Sequence, residues 1–161
     1  MIRIYVANLA KYNEGKLVGE WINLPCIDLD ERLEKILGDD EEYAIHDYEC
    51  DLDGVEISEN DDPNEVNEIA EKLEEVHKYD RPKVEFLLWQ GESLEDALEH
   101  YEDVTHYPDM DLEDVAEELV DDGCFGTIPE SIRSYIDYKA IARDLEHDGY
   151  VENGKDVFHY Q

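Results

Sequence analysis

The sequence predicts an α+β fold, drawn out as an elongated chain of three small domains. These are a small sheet with one helix (1–61), a helical middle unit (62–102) and a mixed α/β unit (103–161). Three observations lead there. The hydrophobic period changes from two to about 3.6 near residue 62 and partly returns toward the C-terminus. Turn-forming residues cluster at the change, from Asp51 to Pro63. The chain is 42% hydrophobic and 10% aromatic, enough for a core, yet none of the three parts is rich enough alone, so they must support one another or a second subunit.

Ile2, Ile4 and Val6 alternate with Arg3 and Tyr5, which predicts a strand. Asn8 to Gly15 reads as a loop. Leu17 to Leu24 reads as a second strand, ended by Pro25. Leu29, Leu33, Ile36 and Leu37 then have helical spacing, with Gly38 as a stop. Tyr43 to Cys50 reads as a third strand. Asp62 is an N-cap, with Pro63 at the first helical position and Glu65 completing a capping box. Val66, Ile69, Ala70, Leu73 and Val76 form the apolar face of that helix, which Arg81-Pro82 interrupts. Val84, Leu87 and Leu88 mark a short second helix ending near Gly91, and Ser93 caps a third with Asp96 three residues on. Val104 to Tyr107 reads as a short strand. Asp111 caps a helix through Leu112, Val115, Ala116, Leu119 and Val120, stopped by Gly123. Pro129 opens a further helical stretch through Ile132, Ile136, Ala140 and Leu145. Two closing strands flank Asn153-Gly154.

Charge is the anomaly. Asp and Glu number 46 against 13 Lys and Arg, a net charge of −33. The three parts carry −12, −9 and −12, so this is no polarised acidic tail. Acids interleave with Val, Ile, Leu and Tyr throughout, as on the outside of a folded body. Within the helices they recur at spacing four: Glu71/Glu75, Glu95/Glu99, Glu113/Glu117, Asp114/Glu118, Glu117/Asp121 and Glu118/Asp122. Each such pair costs a helix about 0.2–0.5 kcal/mol. Residues 84–132 hold no Lys or Arg to relieve them. A sequence that breaks a local rule so persistently gains something else by it.

Ordered negative charge at high density is the property of nucleic acid. B-DNA carries one charge per roughly 1.7 Å of axis, so 33 charges correspond to about 56 Å of duplex. A compact chain of this length would be only about 40 Å across, which favours an elongated shape or a dimer. Fixed carboxylates would meet the Lys and Arg of a DNA-gripping groove without first being ordered, and complementary fields speed encounter. The residues expected to form this partner-binding surface are Asp28, Asp30, Glu31 and Glu34 in the first part and Glu65, Glu68, Glu71, Glu75, Glu92, Glu95, Asp96 and Glu99 in the second. Asp109, Asp111, Glu113, Asp114, Glu117, Glu118 and Asp121 supply the third.

Motifs sharpen the reading. Ile4-Tyr5-Val6-Ala7-Asn8-Leu9, Tyr12-Asn13-Glu14-Gly15 and Leu17-Val18-Gly19-Glu20-Trp21 resemble the opening of the ArdA antirestriction family. Glu42 to Glu49 resembles that family's next hallmark. Gly126-Thr127-Ile128-Pro129-Glu130-Ser131, continuing through Tyr135-Ile136-Asp137-Tyr138 to Ala142-Arg143-Asp144-Leu145-Glu146, is similar to its antirestriction motif. The middle, about 51–103, matches in acidity and helical pattern. Family members often read Phe-Gly where this chain has Ile141-Ala142, which implies a slightly different helix packing.

The resemblance implies three small domains in a curved rod and a homodimer joined through the C-terminal domain. It implies binding to type I restriction–modification enzymes, at the DNA-gripping site of the methyltransferase core with its specificity subunit. Restriction, and with it modification, would be blocked. It implies a gene carried on mobile elements and a protein working in the cytoplasm of a bacterial host. It brings no catalytic residue, metal or cofactor. Gly126 and Pro129 would serve turn and helix start, Tyr135, Ile136 and Tyr138 packing, and some of these with Phe125 and Ile128 would lie at the dimer contact.

Other classes fit less well. Glu49 to Asn60 imitates an EF-hand loop, with acids at positions 1, 3 and 5 and Gly54 at 6. Asn60 stands where a bidentate Glu is wanted, and a strand precedes. An acidic calcium-binding protein, or a halophile's soluble protein, is the alternative reading. Tyr135 and Lys139 have a Tyr-x-x-x-Lys spacing, but no glycine-rich dinucleotide loop follows a strand. Cys26, Cys50 and Cys124 have no zinc-ligand spacing and suit a reducing compartment. Direct nucleic-acid binding lacks its basic footprint, and no stretch approaches membrane-spanning length.

Overall fold

The structure, a computed structural model, describes residues 1–160 and contains helices with two small antiparallel sheets. The chain divides into two compact units, Met1–Glu99 and the segment from His100 onward.

In the first unit, β1 (Ile2–Asn8) is the central strand, flanked by β2 (Gly19–Leu24) and β3 (Tyr43–Cys50), both antiparallel to it. Ile2, Ile4 and Val6 are buried, as their alternation requires, together with Ile22 and Leu24 of β2 and Ala44 and Ile45 of β3. A register shift between Tyr5 and Val6 adds Ala7 and Asn8 to the covered residues. Gly19 is fixed by close approach: a Cβ there would lie 2.5 Å from the Val6 carbonyl oxygen. The helix α2 (Leu29–Leu37) covers the sheet with Leu29, Leu33 and Ile36 and ends at Gly38, whose φ is +60°.

The segment expected as a loop after β1 is instead a short helix, α1 (Leu9–Asn13). Asn8, the one buried polar residue among those described, explains it. Its Oδ1 accepts the Lys11 N–H at 2.9 Å, capping α1. Its amide donates to the Ile36 and Leu37 carbonyls, each at 3.1 Å, closing the end of α2.

Three helices follow: α3 (Pro63–Glu75), α4 (Arg81–Gln90) and α5 (Leu94–His100). Pro63, Val66, Ala70 and Leu73 are the buried side of α3, which packs on β2, and the Asn67 Oδ1 accepts the Cys26 N–H at 2.7 Å. Asp62 caps α3 through the Asn64 N–H, not through the box expected with Glu65. Gly91 ends α4 in the left-handed region, and Ser93 exchanges hydrogen bonds with Asp96 at the start of α5 as expected.

In the second unit β4 (Thr105–Tyr107), β6 (Asp156–His159) and β5 (Tyr150–Asn153) form an antiparallel sheet in that order. Asn153 pairs with Asp156, so the tight turn is Gly154-Lys155, one residue later than expected. The helix α6 (Leu112–Asp121) opens with a capping box, but between Asp111 and Asp114. It packs on α8 (Tyr138–His147), and Leu112, Val115, Ala116, Ala142, Leu145 and Val157 make the core of the unit. The single helical stretch expected after Pro129 is broken into α7 (Glu130–Arg133) and α8. Asp137 causes the restart by accepting the Ala140 N–H at 3.1 Å. Among the described residues no helix is long and apolar enough to cross a membrane.

Candidate functional site

Burying one apolar stripe of each helix forces the acids outward, and the distribution follows that rule. None of the 46 acids is buried. Glu20, Asp40, Asp61, Asp80, Glu85, Glu92, Glu118 and Asp156 are partly covered, and the other 38 are exposed. Of the acids singled out by sequence, only Glu92 and Glu118 fall short of full exposure. On α2, Asp30, Glu31 and Glu34 lie opposite the buried Leu29, Leu33 and Ile36. On α3, Glu65, Glu68, Glu71 and Glu75 lie outside Val66, Ala70 and Leu73. Glu95, Asp96 and Glu99 are exposed on α5, and Glu113, Asp114, Glu117 and Asp121 on α6.

These carboxylates are not equivalent. Asp28 accepts from the Cys26 thiol at 3.0 Å. Asp111 and Asp114 spend oxygens on the α6 cap. Glu95 meets Lys72 Nζ at 3.3 Å, Glu113 meets Lys139 Nζ at 3.7 Å, and Asp121 pairs with Arg133. Exposed pairs of this kind are worth about 0–1 kcal/mol and leave the charge open to a competing cation. Asp109 has a φ of +54°, its N–H donated to Asp156 at 2.8 Å.

A few groups are perturbed by their surroundings. Hydrogen bonds from Asn8 and Lys11 hold the Asp40 carboxyl below its ordinary value. Burial works to raise Asp156, but the Asp109 N–H and the His106 ring together take it below the usual carboxylate range. Burial, then the neighbouring Tyr150, Glu118 and Cys124, push the Tyr107 hydroxyl up to about 12. All three are structural consequences of packing, outside any arrangement of nucleophile and base.

The motif segment 125–138 is the least covered part of the second unit. Phe125 is 53% exposed, Ile132 50% and Tyr135 85%. Tyr135, read as a packing residue, is thus largely uncovered in its own unit, since it lies in the turn between α7 and α8. Ile128 and Ile136 are half-buried. Gly126 has a φ of +88° and Pro129 an extended backbone just before α7, which fits the turn and helix-start roles. Tyr138, the first residue of α8, packs against the core. The break also separates Tyr135 from Lys139, which stands on α8.

The EF-hand-like loop follows strand β3, and its Asp51 is engaged by the Met1 ammonium and by Arg81 at 3.2 Å. No group of three or more His, Cys, Asp or Glu placed to hold a metal occurs among the described residues. Sequence reasoning missed Glu56 and Asp61, which the structure brings beside Glu65 and Glu95 around a groove of about 240 Å³. Both lie in a connection whose composition signals only a turn.

A search of curated proteins returns no match. The family model described as "Antirestriction protein (ArdA)" matches residues 4–159, nearly the whole chain. With the motifs in family order and the α+β fold in place, the chain belongs to the ArdA antirestriction protein family.

Proposed function

We propose that this chain blocks type I restriction–modification enzymes by occupying, as a mimic of DNA, the groove that grips the duplex. That groove is formed by the methyltransferase core with its specificity subunit. One observation carries the reading: 38 carboxylates are exposed, and 18 of them stand on α-helices, most of which bury the opposite face. The attraction comes from Lys and Arg in the enzyme meeting anions already fixed in place, as they do along a phosphate backbone. No catalytic group, metal or cofactor takes part. Restriction and modification both use the groove, so both would fall.

The active species in this reading is a homodimer, joined through Phe125, Gly126, Ile128, Pro129, Tyr135, Ile136 and Tyr138. The exposed aromatic surface at Phe125 and Tyr135 supports that contact. The three-part division at 61/62 and 102/103, the cytoplasm of a bacterial host and carriage on a mobile element belong to the same reading.

The test is to titrate the protein into a type I enzyme cutting unmodified plasmid, at low and high salt, with a type II nuclease alongside. Inhibition of the type I enzyme that weakens with salt, is relieved by excess DNA and spares the type II nuclease is expected. No inhibition at micromolar protein, or equal inhibition of both, would overturn the proposal.

A further inference from the structure

The groove of about 240 Å³ in the first unit lies between the 56–61 connection and the opening turns of α3 and α5. Ile57, Val66, Ile69 and Leu94 give it an apolar floor. Glu56, Asp61, Glu65 and Glu95 stand around it. A separate cleft lies on the other side of Glu56, Ser93 and Leu94, which line both.

The rim is unevenly engaged. The Asp61 carboxylate accepts the Ser58 N–H at 2.7 Å. Glu95 already faces an ammonium, Lys72 Nζ, at 3.3 Å, so the rim accepts a cation. The Glu56 and Glu65 carboxylates have no ion pair or hydrogen bond among the described residues. Both are exposed, and both stand at the edge of apolar surface.

Size and chemistry together select the occupant. Pockets for whole small molecules run to about 300–1,000 Å³, so this one suits a single side chain. A bare metal ion would have no use for the apolar floor. A side chain with an aliphatic stem and a charged head uses both parts. Of the two natural ones, a guanidinium is the more weakly hydrated and can bridge two carboxylates with its planar fork.

We propose that this groove seats an arginine side chain of the protein partner. Its stem lies on Ile57, Val66, Ile69 and Leu94, and its guanidinium meets Glu56 and Glu65. The inference rests on the reading of the chain as an acidic ligand of a DNA-gripping site. It adds one anchoring contact to an otherwise distributed attraction.

The probe is n-butylguanidinium, titrated into the full-length protein at constant ionic strength and followed by amide NMR, with guanidinium itself as comparison. Saturable shifts around residues 56–69 and 93–95 are expected, with the butyl compound at least about ten-fold tighter because its chain is removed from water. Changing Glu56→Gln with Glu65→Gln should weaken it about ten-fold. Changing Glu113→Gln with Glu117→Gln removes the same charge elsewhere and should leave it unchanged. Shifts spread evenly over all acidic helices, or no preference for the butyl chain, would overturn the groove. A protein that shows the groove binding but inhibits no type I enzyme loses the broader reading. One that inhibits but shows no groove binding loses the groove alone.

Discussion

The helix α6 and the segment that follows it, residues 122–137, are neighbours in sequence and opposites in design. The helix has a capping box, four buried residues and a row of exposed acids. The segment has one helix of four residues with none buried, and it exposes Phe125, Ile132 and Tyr135. The difference separates two jobs. Carboxylates imitate a fixed charged lattice only if their backbone is held from behind, and the α6–α8 core does that. Large apolar side chains left uncovered gain only when another surface covers them, and a second copy of the chain is the proposed cover.

The largest effect should come from breaking the second half of that comparison. Phe125→Asp with Tyr135→Asp places charge at two exposed aromatic positions. A buried interface aromatic that acts as a hot spot is worth about 2 kcal/mol or more, and each change occurs in both subunits, so the double variant should weaken the dimer by at least several hundred-fold. Sedimentation should show the monomer mass while circular dichroism stays as before, since both residues are more than half exposed in their own unit. A dimer of undiminished strength would move the contact elsewhere.

An intermediate effect is expected from the first half. Glu113, Glu117 and Glu118 can be changed to Gln together; Asp114 is left, because it holds the capping box. If these three carboxylates stand in for phosphates, inhibition of the type I enzyme should drop about ten-fold or more at low salt. The slope of log affinity against log salt should fall by up to about three. Stability should hold or rise slightly, as the Glu113/Glu117 repulsion disappears. Inhibition unchanged in strength and salt dependence would exclude α6 from the contact.

The contrast also explains what could be read from the chain. Elements with a strong period and a local cap, such as β1, α3 and α6, were legible because their signals lie within a few residues. The helix α1 was not: Asn8 makes it by contacting both Lys11 and the distant end of α2, and that second contact has no local signature. The break before α8 turns on one side chain, Asp137, in a run of otherwise helical spacing. The outward placement of the acids was legible, since burying one stripe dictates the other. The groove beneath Glu56 was not, because it joins a turn to two helix starts about thirty residues apart in sequence. The exposure of Tyr135 was also hidden, since an aromatic at helical spacing ordinarily signals core.

The smallest effect concerns the acid that does the reverse of the α6 row, turning inward in the same unit. Asp156 accepts the Asp109 N–H at 2.8 Å and faces His106 Nε2 at 3.1 Å. Burial opposes its ionisation, but those two partners win and depress its value below the usual 3.8. A depressed folded value means stability that is fully present above the unfolded value and lost as pH falls through the folded one. Protonating the exposed acids relieves repulsion over a similar range and acts in the opposite direction. The useful quantity is therefore the gap in melting temperature between the natural chain and Asp156→Asn. It should be within about 5 °C at pH 5 and should narrow as pH falls below 3.8. Glu117→Gln, at an exposed position, should lose no stability at any pH. A gap for Asp156→Asn that stayed constant down to pH 2 would mean that its hydrogen bonds, and not its charge, hold the β4–β6 end of the sheet.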